Sequence, residues 1–109
     1  MSNPRDFLAA ANFAGIRQAL GNAETLPPWC YTSPEFFDLE VDRLFSRVWN
    51  FLGHADRLPA AGDYFTTIIA KVPLLVVRGK DREIRAFQNT CRHRGTLVAQ
   101  GEGTAERFA

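Results

Sequence analysis

The chain has 109 residues, 46% hydrophobic and 23% charged, with a formal net charge of +1 at pH 7. This length suits one small domain, and the composition excludes a disordered or fibrous chain. No apolar stretch is long enough to cross a membrane, and the basic residues lack the aromatic interleaving of a nucleic-acid-binding surface, so we expect neither membrane nor nucleic acid as a partner.

The cysteine pattern favours a cytoplasmic protein. Cys30 and Cys91 are the two cysteines, and no signal peptide precedes them, so we expect reduced thiols in a reducing compartment. The amphipathic N-terminus with Arg5 and Arg17 leaves a transit peptide as an alternative. Seven basic residues between Lys71 and Arg94 favour either an acidic partner or simply solvated strand faces.

Two helices are predicted in the first 48 residues. Asn3 and Pro4 suit a helix start, and apolar residues then recur at helical spacing: Ala9, Phe13, Ile16 and Leu20. Pro27 and Pro28 predict a connector without helix. A second helix begins either with a capping box from Thr32 or with Ser33 as the cap. Its predicted buried stripe is Phe37, Val41, Leu44, Phe45 and Val48.

Strands are predicted from residue 49 onward. The segments rich in β-branched and aromatic residues are 49–53, 63–70, 74–77 and 83–88, with a last strand beginning at 105 and turns at 78–82 and 100–104. The predicted fold class is therefore α+β, with a helical leader over 1–48 and an incomplete, mainly antiparallel β domain over 49–109.

A short loop carries the residues with metal chemistry. Cys91 and His93 are separated by one residue, and thiolate and imidazole are ligands of zinc and of iron–sulfur clusters. Gly95 would allow a tight turn or a close approach to a metal. Cys30 and His54 have no partner at ligand spacing, so we predict packing or polar roles for them. A C-x-H pair alone is a weak signal, and coincidence remains an alternative.

The segment from Asn89 to Gly95 resembles the first cluster-binding loop of Rieske non-haem iron oxygenase large subunits. The resemblance extends upstream and covers about four-fifths of the chain, residues 26–109. The matching residues are Pro28, Trp29, Tyr31, Pro34, Glu35, Phe45, Trp49, Gly53, His54, Leu58, Pro59, Gly62, Asp63, Tyr64, Val76, Val77, Arg78, Arg85, Ala86 and Phe87. In that family C-x-H is followed after roughly 15 to 17 residues by C-x-x-H, and the four residues hold a [2Fe–2S] cluster. Sixteen residues follow His93, so the second pair is expected directly after Ala109.

The resemblance implies the roles of the loop residues. Cys91 would bind the inner iron and His93 the outer iron, while Arg92 and Arg94 would stabilise the reduced cluster and Gly95 would shape the loop. A reductase or ferredoxin would donate the electron. A mononuclear Fe(II) in a separate catalytic domain would receive it and oxidise a small organic substrate, in a homo-oligomer of the trimer type. The 109 residues alone are predicted to hold no stable cluster and to be inactive.

Two other functions compete with an oxygenase subunit. A stand-alone Rieske ferredoxin would carry electrons without being an enzyme, but it would begin near Trp49 and would lack the two leading helices. A zinc-binding or purely structural β domain would make the C-x-H pair incidental.

Overall fold

The computed structural model describes residues 6–108, and they form two compact units, which divide between Leu44 and Phe45. The first contains helices and the second an antiparallel sheet, so the predicted α+β class is confirmed. Between Asp6 and Phe108 no helix is both long and apolar enough to span a membrane. The predicted division at residues 48 and 49 stays a prediction.

The first unit contains two short α-helices, α1 (Trp29–Thr32) and α2 (Pro34–Arg43). The Ser33 hydroxyl accepts a hydrogen bond from the Phe36 amide at 3.2 Å and Pro34 occupies the first helical position. Of the two predicted helix starts, Ser33 is therefore the cap. The connector predicted over 24–31 is free of helix up to Pro28 and wrong beyond it. There α1 begins at Trp29, because a proline directly before a helix does not interrupt any hydrogen bond within it.

The predicted leading helix is not continuous. Asn3 and Pro4 lie outside the described residues, and the segment that follows forms only two short 3₁₀ turns, Ala10–Phe13 and Leu20–Asn22. Leu20 is 95% exposed, so the apolar spacing does not mark a buried face. Four aromatic rings with centroids 5.1 to 6.1 Å apart pack this unit instead: Phe7, Phe13, Trp29 and Phe36.

The predicted stripe of the second helix is also wrong. The helix ends at Arg43, before three of the five predicted positions, and Phe37 is 41% exposed. Phe36, its neighbour, joins the aromatic cluster. A shift of one residue, from Phe37 to Phe36, rotates the buried face of the helix by about 100°. The buried face is the one that carries Phe36, because the Phe36 ring packs against Trp29.

The second unit is a four-stranded antiparallel sheet in the order β3-β2-β1-β4. Its strands are β1 (Asp63–Ile69), β2 (Val72–Arg78), β3 (Ile84–Gln88) and β4 (Glu102–Thr104). The first three match predicted strands within one or two residues. Phe65 pairs with Val76, and together with Leu58 these residues form the buried core of the unit.

Two strand predictions are wrong. Residues 49–53 pair with no strand in the described chain, and Trp49 and Phe51 are 101% and 85% exposed. At the other end the chain pairs with β1 over Glu102–Thr104, where a turn was predicted, and leaves the sheet after Ala105. Aromatic content favours a strand only where a neighbouring strand offers hydrogen-bond partners, and β1 offers them to 102–104.

Candidate metal-ligand loop

The residues predicted to bind metal lie on the segment that joins β3 to β4, which we call the ligand loop (residues 89–101). It leaves the sheet directly after Gln88, where the Asn89 amide donates to the Pro73 carbonyl at 2.8 Å. It returns at Gly101, whose carbonyl accepts from the amide and the hydroxyl of Thr66 at 2.9 and 2.8 Å. Both ends are thus attached to the sheet.

A compact turn presents Cys91 and His93. The Cys91 amide donates to the Thr96 carbonyl at 2.7 Å, and the Cys91 carbonyl accepts from the Gly95 amide at 2.9 Å. Cys91 is half-buried and carries a free thiol, while His93 is exposed. The structure thus places the thiol and the imidazole that the sequence predicted as ligands on one short turn that solvent can reach.

Gly95 meets a conformational requirement of this turn. Its φ is +64°, a left-handed conformation that other L residues adopt only with strain, and no heavy atom lies within 4 Å of a Cβ placed there. Of the two predicted reasons for a glycine, the described residues support the tight turn. Arg92 and Arg94, on either side of His93, are exposed.

Asn89 is the residue that sequence reasoning missed. Its side chain is 2% exposed, and its carbonyl oxygen accepts from the amides of Val98 and Ala99, both at 3.0 Å. Its amide group donates to the Ala99 carbonyl at 2.9 Å. An asparagine at the end of a predicted strand indicates a turn. Nothing in the sequence links it to residues nine and ten positions later.

The other cysteine and histidine belong to other segments of the chain. Cys30 lies in α1, half-buried, and burial raises the pKa of its thiol, as expected of a packing residue. His54 is the cap of the 3₁₀ turn Ala55–Arg57, where its Nδ1 accepts from the Asp56 amide at 3.4 Å. These surroundings agree with the packing and polar roles predicted for the two residues.

The donor set of the loop fits half of the ligands of a two-cysteine, two-histidine cluster. Cys91 and His93 supply one sulfur and one nitrogen donor. Within residues 6–108, no three side chains of His, Cys, Asp or Glu lie close enough together to hold a metal ion. The described residues therefore offer one donor of each kind and no complete site.

Comparison with known proteins assigns this architecture to a family. A family model described as the Rieske [2Fe-2S] domain matches residues 48–109. The chain is 41% identical over 87 residues to benzene 1,2-dioxygenase subunit alpha of Pseudomonas putida, covering 79% of this chain and 19% of that protein. It is also 41% identical over 78 residues to biphenyl 2,3-dioxygenase subunit alpha of Rhodococcus jostii (strain RHA1), covering 72% and 17%.

A solved structure agrees with these relatives. A quaternary ammonium Rieske monooxygenase, described in connection with carnitine oxidation by gut microbiota and inter-subunit electron transfer, superposes with a TM-score of 0.70 at 36% identity. The match covers 77% of this chain and 23% of that one. The chain therefore spans about a fifth of the length of the curated relatives that it matches.

Proposed function

This chain belongs to the Rieske [2Fe-2S] domain family, and on that premise we propose that it is the amino-terminal portion of an oxygenase large subunit. Its Cys91 and His93 would be the first ligand pair of the cluster. The observation that carries the proposal is the coincidence of the family match over 48–109 with the turn that presents both side chains. Both relatives and the solved structure compared above are oxygenases or oxygenase subunits, which favours this function over a stand-alone ferredoxin.

When bound, a cluster of this kind supplies one-electron transfer, with a reduction potential of roughly −150 to +300 mV against about −400 mV for all-cysteine plant-type ferredoxins. The two ligands of this chain would have distinct roles. Cys91 is half-buried, which suits the thiolate of the inner iron, and exposed His93 suits the outer iron, the side from which a redox partner can approach. The backbone amides of the turn could donate to the cluster sulfurs and raise the potential further.

The arginines beside His93 would favour the reduced state. Each places a positive charge near a group that gains a negative charge on reduction. We expect Arg92→Gln and Arg94→Gln each to lower the midpoint potential by a small amount, because both side chains are exposed and solvent screens them. Protein-film voltammetry measures the shift. Unchanged potentials in both variants would show that neither side chain acts on the cluster.

The proposal also includes partners that act through this site. A reductase or ferredoxin would donate the electron, and basic residues near the ligand loop suit an acidic donor surface. A mononuclear Fe(II) held by two histidines and a carboxylate in a separate catalytic domain would receive it. The full-length protein would be a cytoplasmic homo-oligomer of the trimer type, and the inter-subunit electron transfer described for the monooxygenase relative supports an oligomer.

The substrate would be a small organic molecule bound outside these residues. Proteins named for benzene, biphenyl and quaternary ammonium substrates resemble this chain at 36 to 41% identity. Since their substrates differ in size and charge, the shared region serves electron transfer and leaves the choice of substrate to the catalytic domain.

A pair of cysteine variants tests the ligand assignment. In a protein that carries both ligand pairs, Cys91→Ser should abolish cluster binding, because the serine oxygen is a poor substitute for a thiolate. Cys30→Ser should leave the cluster intact, since Cys30 lies in α1 and has no histidine at ligand spacing. Iron and sulfide analysis with electron paramagnetic resonance of the reduced protein measures both. Equal cluster content in the two variants would contradict the assignment.

A further inference from the structure

We propose that Asn89 is the positioning residue of the ligand loop: its buried amide ties residues 98 and 99 to the end of β3 and so fixes the turn that presents Cys91 and His93. The role of this turn in holding a cluster rests on the function proposed above. The connection between Asn89 and the loop does not depend on that function, and it can be tested separately.

The burial of Asn89 indicates that its hydrogen bonds determine the position of the loop. Within residues 6–108 it is the one buried polar or charged side chain, at 2% exposed. Removing an amide from water is unfavourable unless its hydrogen bonds are replaced. Here the oxygen accepts twice and the nitrogen donates once, at 2.9 to 3.0 Å, so the side chain is paired on both of its ends. Such a group favours one loop position over others that would leave it unpaired.

Apolar packing offers the loop little alternative support. Every residue from Arg92 to Leu97 is exposed, and Leu97 retains 51% of its accessible surface. An open pocket of about 350 Å³ lies beside Asn89, Leu97 and Ala99. With few apolar contacts to lose, the turn over 92–97 can move at little cost once the hydrogen bonds that hold residues 98 and 99 are removed.

The remaining hydrogen bonds do not replace those of Asn89. The bonds between Cys91 and Thr96 and between Gly95 and Cys91 close the turn on itself. They determine its shape and leave its position on the sheet free. The bonds of Thr66 to Gly101 attach the far end of the loop, beyond Ala99. Asn89 therefore links the carboxyl side of the turn to β3, next to the ligands.

This geometry has a consequence for cluster chemistry. Ligands that the fold already holds in position lose little conformational entropy when the metal binds. Residues that orient those ligands also alter the properties of the bound metal. A loop released from Asn89 should still contain both donors, but in many positions. We therefore expect removal of the Asn89 side chain to weaken cluster binding and to broaden the electron paramagnetic resonance spectrum, and to leave the sheet folded.

The test compares Asn89→Ala with Asn50→Ala in the full-length protein. Asn50 is a matched control, because its amide also donates to two backbone carbonyls, those of Phe45 and Val48, at 2.9 and 3.0 Å, away from the ligand loop. Hydrogen exchange of the metal-free protein reports the loop directly. We expect protection of the Val98 and Ala99 amides to fall about tenfold or more in Asn89→Ala, since the substitution removes three hydrogen bonds at once, and to stay unchanged in Asn50→Ala.

The spectrum of the reduced, cluster-loaded protein is the second readout. Asn89→Ala should broaden the electron paramagnetic resonance lines and hasten cluster loss, and Asn50→Ala should do neither. If Asn89→Ala does not fold, Asn89→Asp takes its place. It keeps an acceptor for both amides and loses the donor to Ala99, so protection should fall between wild type and an unlinked loop.

The outcomes separate the two proposals. Protection at Val98 and Ala99 that is equal in the Asn89 and Asn50 variants would overturn the role of Asn89, whatever the cluster does. A cluster retained in Cys91→Ser would overturn the ligand assignment and leave the exchange result standing. Loss of protection together with an unchanged spectrum would limit Asn89 to a structural role and overturn its positioning of the ligands.

Discussion

The sheet and the ligand loop are neighbours in one unit, and different interactions hold them. In the sheet, Phe65 and Val76 face each other across β1 and β2 at 3% and 5% exposed, above Leu58. In the loop, six consecutive residues are exposed, and the buried side chain of Asn89 holds residues 98 and 99 between the two ends that backbone hydrogen bonds attach to the sheet. Apolar burial stabilises the first and hydrogen-bond satisfaction positions the second.

This difference predicts different responses to substitution. Apolar contacts have no direction, so a core tolerates changes of shape better than loss of volume. Hydrogen bonds require particular atoms at particular distances, so the loop should be insensitive to volume and sensitive to the loss of a donor or acceptor. Three substitutions, one in the core of the sheet and two in the turns between its strands, test how the sheet responds.

The largest effect is expected from Phe65→Ala. It removes a ring at the centre of the core and also the contact with the Arg57 guanidinium, which lies 3.9 Å from the ring centroid. The free energy of unfolding should fall by about 3 to 5 kcal/mol. Ile68→Ala on the same strand, where Ile68 is 71% exposed, should change it by about 0.5 kcal/mol or less. Urea denaturation measures both. Similar losses would mean that the core does not hold the sheet.

An intermediate effect, a gain in stability, is expected at the turn between β1 and β2. Ala70 and Lys71 form a two-residue turn with φ of 50° and 66°, the left-handed conformation that a type I′ hairpin requires. Asparagine adopts it more readily than alanine, so Ala70→Asn should raise the free energy of unfolding by about 1 kcal/mol. The control Ala60→Asn, at a position with negative φ, should bring no gain in the same thermal melts. Equal stability of both variants would show that the turn is not strained.

The smallest effect concerns acid. The Arg85 guanidinium, with hydrogen bonds of 2.6 and 2.9 Å, and then the Glu83 amide hold the pKa of Asp81 at about 2. Because folding lowers this pKa, Asp81 contributes stability above its unfolded value near 3.8, and the contribution is lost as the pH falls toward 2. Both side chains are half-exposed, so the loss should be small. Urea denaturation between pH 2 and 5 should show that the free energy of unfolding depends less on pH in Asp81→Asn than in wild type. An equal pH dependence in the two proteins would show that folding does not lower the pKa of Asp81.

The sequence alone determined most of the sheet and the start of α2. Segments 63–70, 74–77 and 83–88 were found within one or two residues, because β-branched and aromatic residues between turns specify strands locally. Ser33 and Pro34 indicated the helix start, because a cap acts within three residues. The C-x-H pair on its own left zinc, a cluster and coincidence open. The resemblance over the rest of the chain favoured the Rieske family, and the match to the family model confirms that family.

The tertiary structure decided whatever depends on distant partners. Residues 49–53 have the composition of a strand but pair with none in the described part of the chain, while the glycine-containing segment 102–104 becomes β4 because β1 offers it hydrogen bonds. Asn89 resembles an ordinary turn residue until the chain folds and brings residues 98 and 99 to its amide. A sequence pattern reports local preference, whereas strand pairing and the burial of a polar side chain depend on which atoms the fold places within hydrogen-bond distance.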